Sequence, residues 1–498
     1  MKNQGTYCLL RNSQSIAENK IPIAQDTTLF VNSIGEKLQE GYRLIAYFGR
    51  KISEVLKLYV ILGDDKQGRL WVGAAKAADS FPSLTPRYPQ AHLFEREIYE
   101  QFGSVPTGHP WLKPVRFPGS ASAQELIPRN HPFFQVQGEE IHEVGVGPVH
   151  AGIIEPGHFR FQCHGENVFH LEIQLGYQHR GVEKLLETAP PLRVPFIAES
   201  IAGDTAIGHA IASAMAWEGL AGSRVSPRAE TLRAIALELE RLANHVGDLA
   251  ALGSDIGFVP TSAYFGRMRG DCLNLLMDLT GNRFGRSLVR PGGVTFDLPR
   301  AMADSFLIRL RRLQRDFKSV ADLFFETPSV FERMDGVGAV SLKTCQDMGL
   351  VGPAARACGQ DRDVRKDHPY GMYRFHHLPA VIAEEGDVYA RAMVRRIEME
   401  RSLEFLLSLI EHTPSGELRS PCGPPARDSF SVALVEGWRG EIMHAVMTDS
   451  AGKIARYKVK DPSFHNWMGL ALSLRDQQIS DFPLINKSFN LSYAGHDL

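Results

Sequence analysis

The chain has 498 residues, of which 44% are hydrophobic and 22% charged, and a formal net charge of -2. That length exceeds what one compact core supports and implies two domains or three, while the near-neutral balance argues against disorder and against a nucleic-acid surface. The polar amino terminus carries no apolar run of signal-peptide length, and apolar stretches elsewhere are interrupted by Glu199, Asp204 or Arg241, so membrane contact is expected only through partner proteins. Six cysteines, Cys8, Cys163, Cys272, Cys345, Cys358 and Cys422, form no C-x-x-C pair, which suits a reducing cytosol without a disulfide framework.

Residues 44–50, 55–63 and 68–76 alternate or run apolar and read as strands, with Gly63, Asp64 and Asp65 marking a turn. Residues 91–102 follow as a charged helix that stops at Gly103 and leads into a proline-punctuated tail. On an isolated helix, Glu95, Arg96 and Glu97 would form a solvated face. Together with Phe102, Gly103, Gly108, His109 and Pro110 they spell E-R-E, then F-G, then G-H-P. This stretch resembles the signature of the 30 kDa subunit of respiratory complex I, and the resemblance implies docking toward an iron–sulfur subunit. After residue 120 the sequence turns rich in small residues, proline and polar groups, so we expect a domain over 1–120, a linker over 121–140 and a second domain over 141–498.

In the second unit, Phe159, Phe161 and Cys163, then Val168, His170 and Glu172, keep the two-residue spacing of strands around a Gly165-Glu166-Asn167 turn. A β-hairpin feeding a helix is expected. Gly147, Pro148, His150, His158, His179, Arg180, Gly181, Glu183 and Lys184 match the entry motif of the complex I 49 kDa subunit and of hydrogenase-4 or formate hydrogenlyase large subunits. In that family a loop histidine meets the quinone headgroup; His158 is its best counterpart and His150 the second. Further along, residues 231–252 place Leu232, Ile235, Leu239, Leu242, Val246 and Leu249 on an apolar seam. Glu238, Arg241, His245 and Asp248 form a second stripe on the same helix, a solvated surface in the ordinary case. The resemblance instead implies a buried proton relay or ion pairs, Glu with Arg and His with Asp. Arg290, Gly292 and Gly293 read as a turn that brings backbone close to a neighbour. Asp363, Arg365, Pro369 and Tyr370, then Gly386, Asp387 and Arg391, then Trp438 to Glu441 complete the match.

Positions 202, 205 and 209 are spaced i, i+3 and i+7, as on one helix face. The [NiFe]-hydrogenases carry Cys, Cys and His there; this chain has Ala202, Thr205 and His209, and near its end Ser492 and Gly495 stand where the second cysteine pair would be. A nickel–iron centre needs charge-donating sulfur, so no NiFe site is expected. The tyrosine that partners the loop histidine in quinone reductases is missing too, with Gly203 in its place. The resulting expectation is an α+β protein: a small α/β domain, then a mainly helical large-subunit domain entered through a β-hairpin. His158, Asp204 and His209 are the candidate catalytic groups, and His150, His158, Thr205 and Ser492 would line a cavity for a quinone or another small acceptor. The resemblance implies an Fe-S cluster in a 20 kDa-like small subunit, membrane subunits of the complex I or antiporter type, and a peripheral place on the cytoplasmic face of the inner membrane. Three roles stay open: a metal-free redox subunit, a true hydrogenase or formate hydrogenlyase subunit whose ligands this chain lacks, and a non-catalytic coupling scaffold. No glycine-rich phosphate loop follows a strand, so no NADH site is expected.

Overall fold

A computed structural model describes residues 5–117, 130–150 and 154–498. The part of the expected linker over 121–129 lies outside the described residues; 130–140 carries no strand or α-helix. The three expected strands appear as Arg43–Ile52, Val55–Asp64 and Arg69–Ala77 in one antiparallel sheet, flanked by Cys8–Leu10 and by the parallel strand Ile23–Ala24. Helix His92–Phe102 packs on Arg43–Ile52 and ends at Gly103 in the left-handed conformation.

The E-R-E residues are not solvated, because each is engaged within the chain. Glu95 is fully buried and accepts from Ser83 Oγ, Thr85 Oγ1 and Leu84 N. Arg96 donates to the carbonyls of Lys113 and Pro114. Glu97 pairs with Arg116 and, at 2.6 Å, with Lys458 from the far end of the sequence. Burial opposes the Glu97 charge, but Lys458 and Arg116 hold its pKa below the usual value.

The large unit is entered through the hairpin His158–His164 and Asn167–Gln174, to which Ile141–Val146 adds a third strand that the sequence pattern does not announce. Helices Pro227–Ile256, Val259–Thr280, Arg300–Glu326 and Val388–Glu411 form a bundle, and the seam Leu232, Ile235, Leu239, Leu242, Val246 and Leu249 is wholly buried in it. Helix Ala206–Ala221 lies on a sheet of strands Ser429–Gly437, Gly440–Thr448 and Ile454–Lys460. The fourth strand of that sheet is Ser15–Ala17, from the amino terminus, so the beginning of the chain is built into the carboxyl-terminal sheet. Gly292 and Gly293 form the expected tight turn at φ +88° and +151°, and a Cβ on Gly293 would stand 2.1 Å from the Leu418 carbonyl. No described helix is long and apolar enough to cross a membrane.

Candidate functional site

Spacing suggests Ala202, Thr205 and His209 on one helix face, but the helix begins at Ala206 and Thr205 is its N-cap residue. Residues 202–205 form a turn closed by Thr205 N donating to Ala202 O at 3.1 Å. The turn presents Asp204 to Arg439, whose Nη1 and Nη2 meet the two carboxylate oxygens at 2.6 and 2.8 Å. This is the planar, bidentate geometry that makes Arg–carboxylate pairs strong. Arg439 reaches Thr205 Oγ1 as well, donates to the Asn490 carbonyl and stacks on Trp438 at 3.8 Å.

His209 has no exposed surface. Its Nε2 lies 3.0 Å from Asp461 Oδ2, and since a carboxylate only accepts, that nitrogen carries a proton. On the other side Nδ1 is 3.0 Å from His444 Nε2, His444 Nδ1 is 2.9 Å from the Tyr457 hydroxyl, and Tyr457 is 3.0 Å from Ser213 Oγ. Burial, with His209 adjacent, pushes the His444 pKa well down and keeps the ring neutral. Burial works against the Asp461 carboxylate, but the hydrogen bond from His209 holds its pKa below the usual value. The result is a continuous buried hydrogen-bonded row that starts at a charge.

The stripe on helix Pro227–Ile256 is buried, not solvated: Glu238, Arg241 and His245 have no exposed surface and Asp248 has 2%. The expected pairing holds for Glu238 with Arg241 at 3.4 Å. His245 does not pair with Asp248; it meets Glu398 at 3.0 Å, and Asp248 pairs with Arg395 at 2.8 Å. Both partners come from helix Val388–Glu411, because Val388–Glu411 packs directly against the stripe. Glu398 also receives Arg241 and Arg356. Burial opposes its charge, yet the two guanidiniums carry its pKa well below the usual range. Asn490 donates to Asp248 at 2.5 Å while its carbonyl accepts from Arg439, so the stripe joins the Asp204 turn through Asn490 and Arg439.

One group beside the stripe has no signature in the sequence. Glu240 accepts from the backbone N–H groups of Ile207 and Gly208 at 2.7 and 3.1 Å, in the first turn of helix Ala206–Ala221. Burial outweighs those two bonds and pushes its pKa up to about 8. Sequence reasoning misses Arg439, Asp461, His444 and Tyr457 as well; Trp438–Glu441 stands out as a motif, but nothing in its spacing points at His209.

His158 opens its strand, with Nδ1 3.1 Å from the Gly147 carbonyl, and burial lowers its pKa. His150 lies in the connection between Ile141–Val146 and His158–His164, with Nε2 2.9 Å from the Gly157 carbonyl. The connection abuts the carboxyl-terminal segment, since Glu155 accepts from Ala494 N and Phe159 packs edge-on to Tyr493. Ser492 caps helix Tyr493–Asp497 by accepting from Gly495 N. A Cβ at Gly495 would stand 2.6 Å from the Asp461 carboxylate, so any side chain there would displace the partner of His209. The segments at 202–205 and 492–495 thus offer a methyl group, two hydroxyls and a bare backbone, a donor set that does not fit a thiolate-bound bimetallic centre. Among the described residues, no group of three His, Cys, Asp or Glu side chains is arranged to hold a metal ion.

Comparison with known proteins matches this architecture at both ends. Residues 39–131 fit the respiratory-chain NADH dehydrogenase 30 kDa subunit, and residues 255–425 and 422–497 fit the 49 kDa subunit. Formate hydrogenlyase subunit 5 of Escherichia coli is 30% identical over 94% of this chain and 88% of its own length. The chain belongs to the complex I and membrane-bound hydrogenase large-subunit family. A carbon monoxide-induced hydrogenase of Rhodospirillum rubrum is 32% identical over 70% of this chain, and an NADH-quinone oxidoreductase subunit 4 of Thermus thermophilus 30% identical over the same share. These cover 96% and 92% of the relatives. A solved chain of the membrane-bound sulfane sulfur reductase, an archaeal respiratory membrane complex, superimposes with a TM-score of 0.68 at 26% identity over 72% of this chain and 99% of that one. In this large-subunit member, Arg439 ties the turn at 202–205 to Asn490, and His209 holds Asp461.

Proposed function

We propose that this chain is the large subunit of a membrane-associated complex I-like oxidoreductase, metal-free between residues 202–205 and 492–495. Electrons would arrive from an iron–sulfur cluster in a 20 kDa-like partner subunit and pass to a quinone or another small acceptor near His158, His150 and the Asp204 turn. Reducing a quinone consumes two electrons and two protons. Asp204 and His209 are the groups we assign to proton delivery, with Thr205 and Ser492 at the edge of the site. The observation that supports this reading is the pair of contacts Arg439–Asp204 and His209–Asp461 beside the 202–205 turn, protein charges with no cysteine among them. The buried row through Asp248, His245, Glu398, Arg241 and Glu238 would couple that chemistry to membrane subunits of the antiporter type on the cytoplasmic face. The same row favours a second reading, a coupling scaffold without its own chemistry, because it reaches the site yet is wholly charge-paired.

The test is the intact complex purified from its source and analysed for nickel, iron and bound quinone, with quinone and polysulfide offered as acceptors; polysulfide is included because of the solved sulfur reductase chain. We expect iron without nickel and an acceptor reduced at a rate that Asp204→Asn lowers about a hundredfold, the cluster still filling with electrons. Stoichiometric nickel would return the chain to the hydrogenases. Intact assembly with no acceptor reduced would favour the scaffold.

A further inference from the structure

The E-R-E and G-H-P motifs build something that the proposed electron and proton transfer does not use. His92 and Arg96 stand one helical turn apart on the inner side of helix His92–Phe102 and line a cavity of about 90 Å³ between the small unit and the large one. His109 places Trp111 there: its Nε2 meets the His92 carbonyl at 3.2 Å and its Nδ1 accepts from Trp111 N at 3.0 Å. The opposite wall comes from strand Asn167–Gln174 and helix Ser463–Ser473, with Leu171, Trp467 and Ala471, and from His496 near the carboxyl terminus.

Arg96 is 8% exposed and has no carboxylate partner among the described residues. Nε and Nη2 each donate to a backbone carbonyl at 2.6 Å, Nη1 has no acceptor among the described residues, and the guanidinium lies 5.8 Å from the Trp111 ring. The carboxylates that act on its charge at longer range are Glu100, one helical turn along, which accepts from Arg116 N and Phe117 N, and then Glu172 on the cavity wall, which is already bound by Lys113 and His131 at 2.7 Å each. His131 itself is 9% exposed and its Nδ1 has no partner. The buried guanidiniums of Arg241, Arg356, Arg395 and Arg439 each meet a carboxylate, and Arg391, which does not, donates from all three of its nitrogens to Ser488 Oγ and the Gly386 and Gly338 carbonyls. A buried cation left without a carboxylate is expensive, and an anion entering the cavity removes that cost.

We propose that this cavity binds a small monocarboxylate, its oxygens on the free edge of Arg96 and its short alkyl tail against Leu171, Trp467 and Ala471. The planar guanidinium matches a carboxylate in shape as well as charge, and the apolar wall suits a tail better than a fully hydrated inorganic ion. A volume of about 90 Å³ is that of roughly three waters, enough for an acid of a few heavy atoms.

The experiment is calorimetric titration of the full-length chain with propionate and, separately, with chloride and sulfate at equal ionic strength. Saturable propionate binding at least tenfold tighter than either inorganic ion is expected. Arg96→Gln should abolish it. Because Arg96 also ties down two carbonyls, Ala471→Leu serves as a second variant: it fills the cavity and leaves the cation in place, and it should abolish binding with the melting temperature unchanged. Absence of binding to the parent chain, equal binding of sulfate or chloride, or propionate binding that survives Ala471→Leu would each overturn the proposal.

Discussion

Arg241 has no exposed surface and three acceptors: the Gly437 carbonyl at 2.7 Å, Glu398, and Glu238 at 3.4 Å. Replacing it with methionine roughly keeps the volume and takes one cation from each of two buried carboxylates, so Arg241→Met should cost about 3–5 kcal/mol in urea unfolding. Glu240 gives the opposite kind of case. Its pKa rises in the fold from 4.5 to about 8, so the folded chain keeps a proton that the unfolded chain releases. The stability it contributes is complete below pH 4.5 and is lost as pH climbs to about 8, by about 1.4 kcal/mol for each pH unit crossed. Glu240→Gln has nothing to titrate there, and its unfolding free energy should fall less steeply between pH 5 and 8 than that of the parent chain. Glu436, raised to about 7 by burial and by Asp363, keeps a slope of the same sign in both proteins, so the difference between the two curves isolates Glu240.

At the level of elements, periodicity announces the strands, the charged helix, the hairpin and the apolar seam, because each follows from local alternation or a 3.6-residue repeat. It fails at Ala202 and Thr205: a turn followed by an N-cap satisfies the same i, i+3, i+7 spacing as a helix. Nor can it say whether the Glu238–Asp248 stripe faces water, because its partners Arg395 and Glu398 lie on a helix some 150 residues away in sequence. The Asp461 and His444 partners of His209, and Arg439 beside Asp204, are hidden for the same reason, as they arrive with a sheet near the end of the chain. The glycine turn is legible and can be tested. Gly293→Ala forces a side chain into the Leu418 carbonyl at φ +151°, and a loss of roughly 1–3 kcal/mol is expected by thermal melting. Asn12 holds the amino-terminal segment through Leu434 N, Leu434 O and His368 O at 2.8 to 2.9 Å while only 8% exposed. Asn12→Ala should cost about 1–3 kcal/mol by the same measurement, since it leaves those backbone groups unpaired.

Across the whole molecule, the two sequence-defined units share buried charge. Arg43 meets Glu441 at 2.5 Å, Asp65 meets His368 and Arg362, and Glu97 meets Lys458. Cutting between them would expose these groups, each having lost at least one of its charge partners. We therefore expect residues 1–117 and 130–498 to be insoluble when produced separately, and the intact chain to give one calorimetric transition. Lys458→Met, which removes the cation shared by Glu97 and Glu183, should lower that transition without splitting it.

The pairing of Ala17 with Ser429 also sets an order of events at the ribosome. The strand is made first, but its partner emerges only after nearly all the rest, which at about 5–20 residues per second is a delay of roughly tens of seconds. Until then the nascent amino terminus carries an unpaired edge. The Ser15–Ala17 strand therefore takes its place last, when the carboxyl-terminal sheet closes.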